Sequence, residues 1–152
     1  MATVMLIISD VGLDHAVVER AIAEASAASA ELLVLAVLDP ARPATIATKI
    51  CETGQVGARP SEDFRDTLFD RHEKLILEEG NDIVAEARDR GLVCRLEVAR
   101  GTYACETQEA MRRETPGCVV IQKRRRSLLR FVAQDRFLDE LSKEKGFRLI
   151  EV

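Results

Sequence analysis

Residues 4–10 read VMLIISD, an apolar run closed by a carboxylate just before helical periodicity sets in. The run is too short for a buried helix and apolar on both faces, so it is read as the first, central strand of a parallel sheet covered by helices on each side. Ligands of such open sheets bind beyond the carboxyl ends of the strands, where strand order reverses. Asp10 stands at that end and is the first candidate site residue.

Working outward, Asp14 to Ala30 places Val17, Val18, Ala21, Ile22, Ala25 and Ala28 at helical spacing, with Asp14 as N-cap. ELLVLAVL at 31–38 is a second buried strand, stopped by Asp39 and Pro40, and the strand, helix, strand order predicts a right-handed crossover. From Asp39 to Pro60 the pattern lapses in a segment punctuated by Pro40, Pro43, Gly54, Gly57 and Pro60, a length common in functional loops. Ser61 to Gly91 is a long amphipathic helix with Phe64, Leu68, Phe69, Leu75, Ile76, Ile83, Val84 and Ala87 as its apolar stripe and Gly80 as a point of bending. LVCRLEVA at 92–99 alternates more, with Arg95 and Glu97 on one face, as suits a strand nearer the sheet edge, and Arg100 and Gly101 end it. A helix over Thr102 to Glu114 capped by Thr102, a buried strand CVVIQ at 118–122, a helix from about Asp135 to Lys145 and a strand from Phe147 to Val152 complete the chain. The expectation is a single α/β domain over 1–152, a doubly wound five-stranded parallel sheet in the order 3-2-1-4-5 with helices on both faces.

Composition narrows the function classes. With 47% hydrophobic, 32% charged and 4% aromatic residues, the chain suits a soluble α/β protein and not a disordered one. No apolar run approaches the roughly 20 residues of a membrane span, and no basic stretch precedes the first one, so a cytoplasmic protein without membrane contact is expected. The net charge is −4, but unevenly spread: residues 1–100 hold 11 basic and 18 acidic side chains, residues 101–152 hold 11 and 8. That balance argues against a nucleic-acid binder, although a local basic patch could hold a small anion. Cys51, Cys94, Cys105 and Cys118 are scattered without a C-x-x-C pair and the two histidines stand isolated, so no metal site is expected. Cys94 and Cys118 read as small buried hydrophobes. Cys105 lies near a helix start but lacks a basic neighbour that would activate it. No G-x-S-x-G elbow, Walker loop or histidine-paired nucleophile is present, and a phosphoacceptor receiver would want paired acids after strand one and an Asp after strand three. An enzyme is not expected.

VMLIISD, ELLVLAVLDP, VARG and GCVVIQ, in that order and spacing, resemble the universal stress protein family over essentially the whole chain. Many members bind ATP. The resemblance implies that Asp10 lies beside a nucleotide, that the backbone of Val37 meets adenine and that Gly101 shapes the turn after strand three. Nucleotide-binding members carry a phosphate motif after strand four, G-x-x-G, nine residues, then G-S or G-T, in which glycines admit phosphate to the backbone and a helix N-terminus favours the anion. Here Gln122, Arg125, Asp135 and Arg136 stand at those four positions, so every motif residue is replaced. Asp135 is read as a helix N-cap or as a carboxylate that repels a triphosphate, and either excludes phosphate. Arg124 and Arg125 are expected to face Asp135 across the phosphate position. The run Lys123, Arg124, Arg125, Arg126 carries three readings: solvated surface charge, an anion site, or a protein-binding patch. The resemblance also implies a homodimer through the terminal strand, with Leu149 and Val152 in the interface. The expected function is a universal stress protein-like regulatory module that holds no cofactor, binds ATP weakly and acts through subunit or protein-partner contacts. The alternative is a module responding to a mononucleotide or other small anion in the modified crevice.

Overall fold

A computed structural model describes residues 2–41, 62–123 and 132–152. Five strands and four helices alternate: β1 (Thr3–Ile8), α1 (His15–Ala27), β2 (Glu31–Leu38), α2 (Glu62–Asp89), β3 (Cys94–Arg100), α3 (Tyr103–Glu114), β4 (Cys118–Ile121), α4 (Val132–Lys145) and β5 (Arg148–Glu151). All pairs are parallel and the sheet order is β3-β2-β1-β4-β5, as the sequence predicts. The central β1 pairs from Thr3 opposite Glu31 to Ile8 opposite Ala36 on one side, and through Val4 to Leu6 with Cys118 to Val120 on the other.

Alternate residues of the same apolar runs feed two cores. Val4, Leu6 and Ile8 join Leu32, Val34 and Leu38 against α1 and α2, while Met5 and Ile7 join Leu33, Leu35 and Val37 against α3 and α4. This double burial is why the strands show no polar alternation, and each enclosed Leu or Ile contributes about 1.5–3 kcal/mol.

Local signals fix most element ends. Asp14 caps α1, its Oδ1 accepting the Ala16 N–H at 3.0 Å. Three expectations are corrected, at Leu75, Thr102 and Asp135. Gly80 sits within an unbroken α2, and a Cβ there would stand 2.9 Å from Leu96 Cδ1 and 3.5 Å from Ile8 Cδ1, so the glycine lets the helix lie close on the sheet. Leu75 is 40% exposed and does not belong to the buried stripe, which instead runs through His72, Ile76, Ile83 and Ala87. Thr102 stands at the cap position of α3 but makes no side-chain cap bond; Asp39, at the end of β2, supplies that acceptor from a distance in sequence. Helix α4 begins at Val132, so Asp135 is its fourth residue and not its cap, because the helix formers Ala133 and Gln134 extend the helix toward its N-terminus.

The β3 edge is closed by charge. Arg95 lies 2.7 Å from Glu31, 3.2 Å from Glu97 and 2.7 Å from Glu114, and Arg113 pairs with Glu97. Hydrogen bonding to Glu114 and Glu31 raises the Arg95 pKa, and the bond from Arg95 lowers that of Glu114. Such a ladder disfavours pairing with another chain at this edge.

On α3, Thr107 is fully buried and its hydroxyl finds no hydrogen-bond partner among the described residues. Thr107→Val keeps the shape and removes the unpaired oxygen, so it is expected to stabilise the fold by about 1 kcal/mol. Urea unfolding should show a higher midpoint with an unchanged slope.

Candidate functional site

The carboxyl ends of β1 and β4 frame a small cleft of about 50 Å³, lined by Ser9, Asp10, Leu13, Tyr103, Ile121 and Gln122 among others. It lies at the reversal of strand order, between β2–β1 and β1–β4, where the crossover rule places ligands. Strand β1 ends at Ile8, so Asp10 belongs to the turn that follows and not to the strand itself. Its side chain is 57% exposed, and Oδ1 accepts the Val11 N–H at 3.2 Å.

Three long-range contacts shape this turn. Gln122 Oε1, from the end of β4, accepts the Asp14 N–H at 3.3 Å. Glu79 Oε1, from α2, accepts the Gly12 N–H at 2.9 Å, and Gly12 adopts a φ of 82°, where glycine is favoured. His72, on the same helix, brings Nε2 to 3.5 Å from Asp10 Oδ1. A glycine at 122 would leave the Asp14 amide without this partner. Gln122 thus ties the end of β4 to the residue that caps α1.

The opposite wall is built on Asp39. Its buried carboxylate accepts the Tyr103 N–H at 3.1 Å through Oδ2 and the Ala41 N–H at 2.9 Å through Oδ1, joining the end of β2 to the first residue of α3. Tyr103 is thereby held in the cleft and packs in the same core cluster as Val37 and Ile121. Val37 is enclosed, pairing in β2 opposite Ala99. Gly101 donates its N–H to the Leu38 carbonyl at 3.1 Å and has a φ of 151°, and a Cβ there would meet Glu106 Oε1 at 2.5 Å. Asp10, Val37, Gly101 and Gln122 therefore converge on one end of the sheet. Lys123 is exposed there, its N–H bonded to the Val152 carbonyl at 2.7 Å. Arg124, Arg125, Arg126 and the 42–60 part of the long connection lie outside the described residues, as do the side chains of Asp135 and Arg136.

The histidines are not isolated in space, contrary to the reading from sequence. His15 Nε2 lies 3.1 Å from Glu86 and 3.5 Å from Glu19, a donor set a metal could use. Arg90 already holds both carboxylates, at 2.5 Å from Glu19 and 2.9 Å from Glu86; its hydrogen bond lowers the Glu19 pKa. The cluster ties α1 to α2 on an exposed face. Cys94 and Cys118 are buried as expected, and desolvation pushes the Cys94 thiol up to about 11 and raises that of Cys118, so both are poor nucleophiles.

The sequence reading passed over Asp39, His72, Glu79 and Tyr103. Two of them carried a signal: His72 and Glu79 interrupt the apolar stripe that contains Ile76 and Ile83, at i, i+4, i+7, i+11 spacing. Titratable residues on a sheet-facing stripe need partners, and the β1–α1 turn provides them.

The arrangement defines a doubly wound sheet with its cleft at the switch point. No protein-family model matches the chain, and no curated protein matches it by sequence. Solved structures do match. UspA from Lactobacillus plantarum aligns with a TM-score of 0.67 at 12% identity, over 99% of this chain and 97% of that one. The universal stress protein from Archaeoglobus fulgidus in complex with dAMP aligns at 0.60 and 15% identity, over 99% and 97%. A universal stress protein in complex with cAMP aligns at 0.60 and 15%, over 99% and 96%. The chain has the universal stress protein fold.

Proposed function

We propose that this chain is a universal stress protein-like regulatory module of the stress response, non-catalytic, that does not hold ATP tightly and works through subunit and partner contacts. The observation that carries this reading is the state of the crevice. Gln122, bonded to the Asp14 amide, and buried Tyr103 line it where a nucleotide would enter. The sequence adds the loss of every glycine of the phosphate motif. Calorimetry with MgATP is expected to give a dissociation constant well above micromolar, and mass spectrometry of gently denatured protein should show no stoichiometric nucleotide. Micromolar or tighter binding, about 8 kcal/mol, would overturn the reading.

The subunit contact we assign to β5. Leu149 packs on the α3 and α4 side of the sheet and Val152 on the other, so the two residues lie on opposite faces. Arg148 and Val152 donate their N–H groups to Gly117 and Ile121, which by alternation turns the backbone of Leu149 and Glu151 toward the outer edge. Pairing with a two-fold copy covers that edge. Light scattering at tens of micromolar is expected to find a dimer for the native chain and a monomer for Leu149→Asp. A native monomer, or an intact mutant dimer, places the interface elsewhere.

A second reading is favoured by Asp10, whose carboxylate lines the mouth of the cleft, and by the dAMP and cAMP carried by the two structural neighbours. A mononucleotide needs fewer phosphate contacts than ATP, and the basic run beginning at Lys123 follows β4 directly. Titration with AMP beside MgATP separates the readings.

A further inference from the structure

His15 opens α1 and Glu19 lies one turn further on, so their side chains share one face of the helix; Glu86 of α2 meets them there across 71 residues of chain. His15 Nε2 lies 3.1 Å from Glu86 Oε1 and 3.5 Å from Glu19 Oε1, and the three donor atoms all fall within 4.8 Å of one another. A zinc ion about 2.0–2.2 Å from its nitrogen and oxygen ligands holds them about 3.3–3.5 Å apart along the edges of a tetrahedron, and both spacings at His15 are close to such an edge. The point of convergence already draws a cation. Arg90 NH2 lies 2.5 Å from Glu19 Oε1 and 2.9 Å from Glu86 Oε1, the same two oxygens that face the imidazole. Its NH1 holds the outer oxygen, Glu19 Oε2, at 2.9 Å, so an ion entering between the Oε1 atoms displaces one guanidinium nitrogen and leaves the other bonded. The side chains of His15, Glu19 and Glu86 are 66%, 42% and 30% exposed, which leaves an ion a way in from solvent.

We propose that His15, Glu19 and Glu86 form a site for a divalent transition-metal ion, Zn²⁺ foremost, which exchanges with Arg90 NH2 and clamps the first turn of α1 to α2. The donor set selects the metal: Mg²⁺ and Ca²⁺ take oxygen ligands and gain nothing from an imidazole, while one imidazole with two carboxylates suits Zn²⁺. Three protein ligands leave the fourth position to water. The ion brings two positive charges to two carboxylates, where Arg90 brings one. Asp14, the residue before His15, is bonded to Gln122 at the cleft, and Glu79, two turns before Glu86 on α2, holds the Gly12 amide. A bound ion therefore adds a third tie to the segment that borders the cleft without entering it. The site needs no nucleotide, so its test stands apart from that of the crevice.

The experiment adds Zn²⁺ alone to the whole protein at about pH 7.5, where a neutral imidazole offers its lone pair. Cys51→Ser and Cys105→Ser are carried throughout so that these thiols do not compete for the ion. Calorimetry should find one Zn²⁺ per chain, and NMR should show the His15 ring signals shifting while those of His72 stay; the chain has two histidines, and His15→Gln identifies which is which. His15→Gln and Glu86→Gln should each weaken binding at least about tenfold, the least that even an outer partner of a metal ligand contributes. Arg90→Gln should tighten it at least about tenfold, because a unit positive charge a few ångströms from a divalent ion costs that much even in water. A structural ion-pair cluster with no affinity for metal would give none of these changes. Binding weaker than millimolar, or binding unchanged in both His15→Gln and Glu86→Gln, overturns the site. An Arg90→Gln protein that binds Zn²⁺ no more tightly than the parent overturns the exchange with Arg90.

Discussion

Asp39→Ala is expected to cost about 3 kcal/mol of folding stability, although the residue lies just beyond β2, whose residues from Leu32 to Leu38 are all apolar. The buried carboxylate receives N–H groups from Tyr103 and Ala41, and hydrogen bonds to an ionised group contribute about 1.5–3 kcal/mol each. Alanine would leave the first amide of α3 buried without its acceptor, and Thr102, which makes no cap bond of its own, does not substitute for it. Asp39→Asn retains an acceptor oxygen but not its charge, so about 1 kcal/mol is expected. Urea unfolding of both variants checks the pair. Equal costs for Asn and Ala would show that the charge contributes nothing and that shape alone is at issue.

Tyr103→Ala should produce two effects of opposite sign. The ring is 5% exposed and packs in the cluster that contains Ile7, Val37 and Ile121, so truncation is expected to destabilise by about 3–5 kcal/mol, as for other large aromatic deletions. The same truncation empties the wall of the cleft, and AMP affinity should rise at least about tenfold, or 1.4 kcal/mol, where a bound base can occupy the vacated space. Tyr103→Phe keeps the ring and should leave AMP affinity near the native value. Calorimetry on the three proteins at matched temperature, below the unfolding transition of the weakest, reads both. Loss of stability with no gain in AMP binding would mean that the ring serves packing and does not occlude a ligand.

These two residues also show why half of the site was hidden in the sequence. The apolar runs VMLIISD, ELLVLAVL and CVVI determined the sheet by themselves: residues buried on both faces can only be covered by helices, and the crossover rule then fixes the strand order to a few choices. Asp14 announced its cap through local spacing, because both partners lie within two residues. Asp10 and Gln122 were legible as positions, since a strand's carboxyl end is a place the sequence can mark.

Their partners were not. Gln122 reaches Asp14 across 108 residues, Asp39 reaches Tyr103 across 64 and Glu79 reaches Gly12 across 67, and no periodicity encodes which side chains a crossover brings face to face. Thr102 looked like the cap of α3 by local chemistry and lost that role to a carboxylate delivered by β2. His72 looked isolated until α2, lying on the sheet at Gly80, placed its ring beside Asp10. The sequence by itself determined which segments are buried and therefore the sheet. The tertiary structure decided which polar groups meet at the carboxyl ends of its strands, because hydrogen-bond partners are chosen by geometry in space and hydrophobic burial needs only a pattern along the chain.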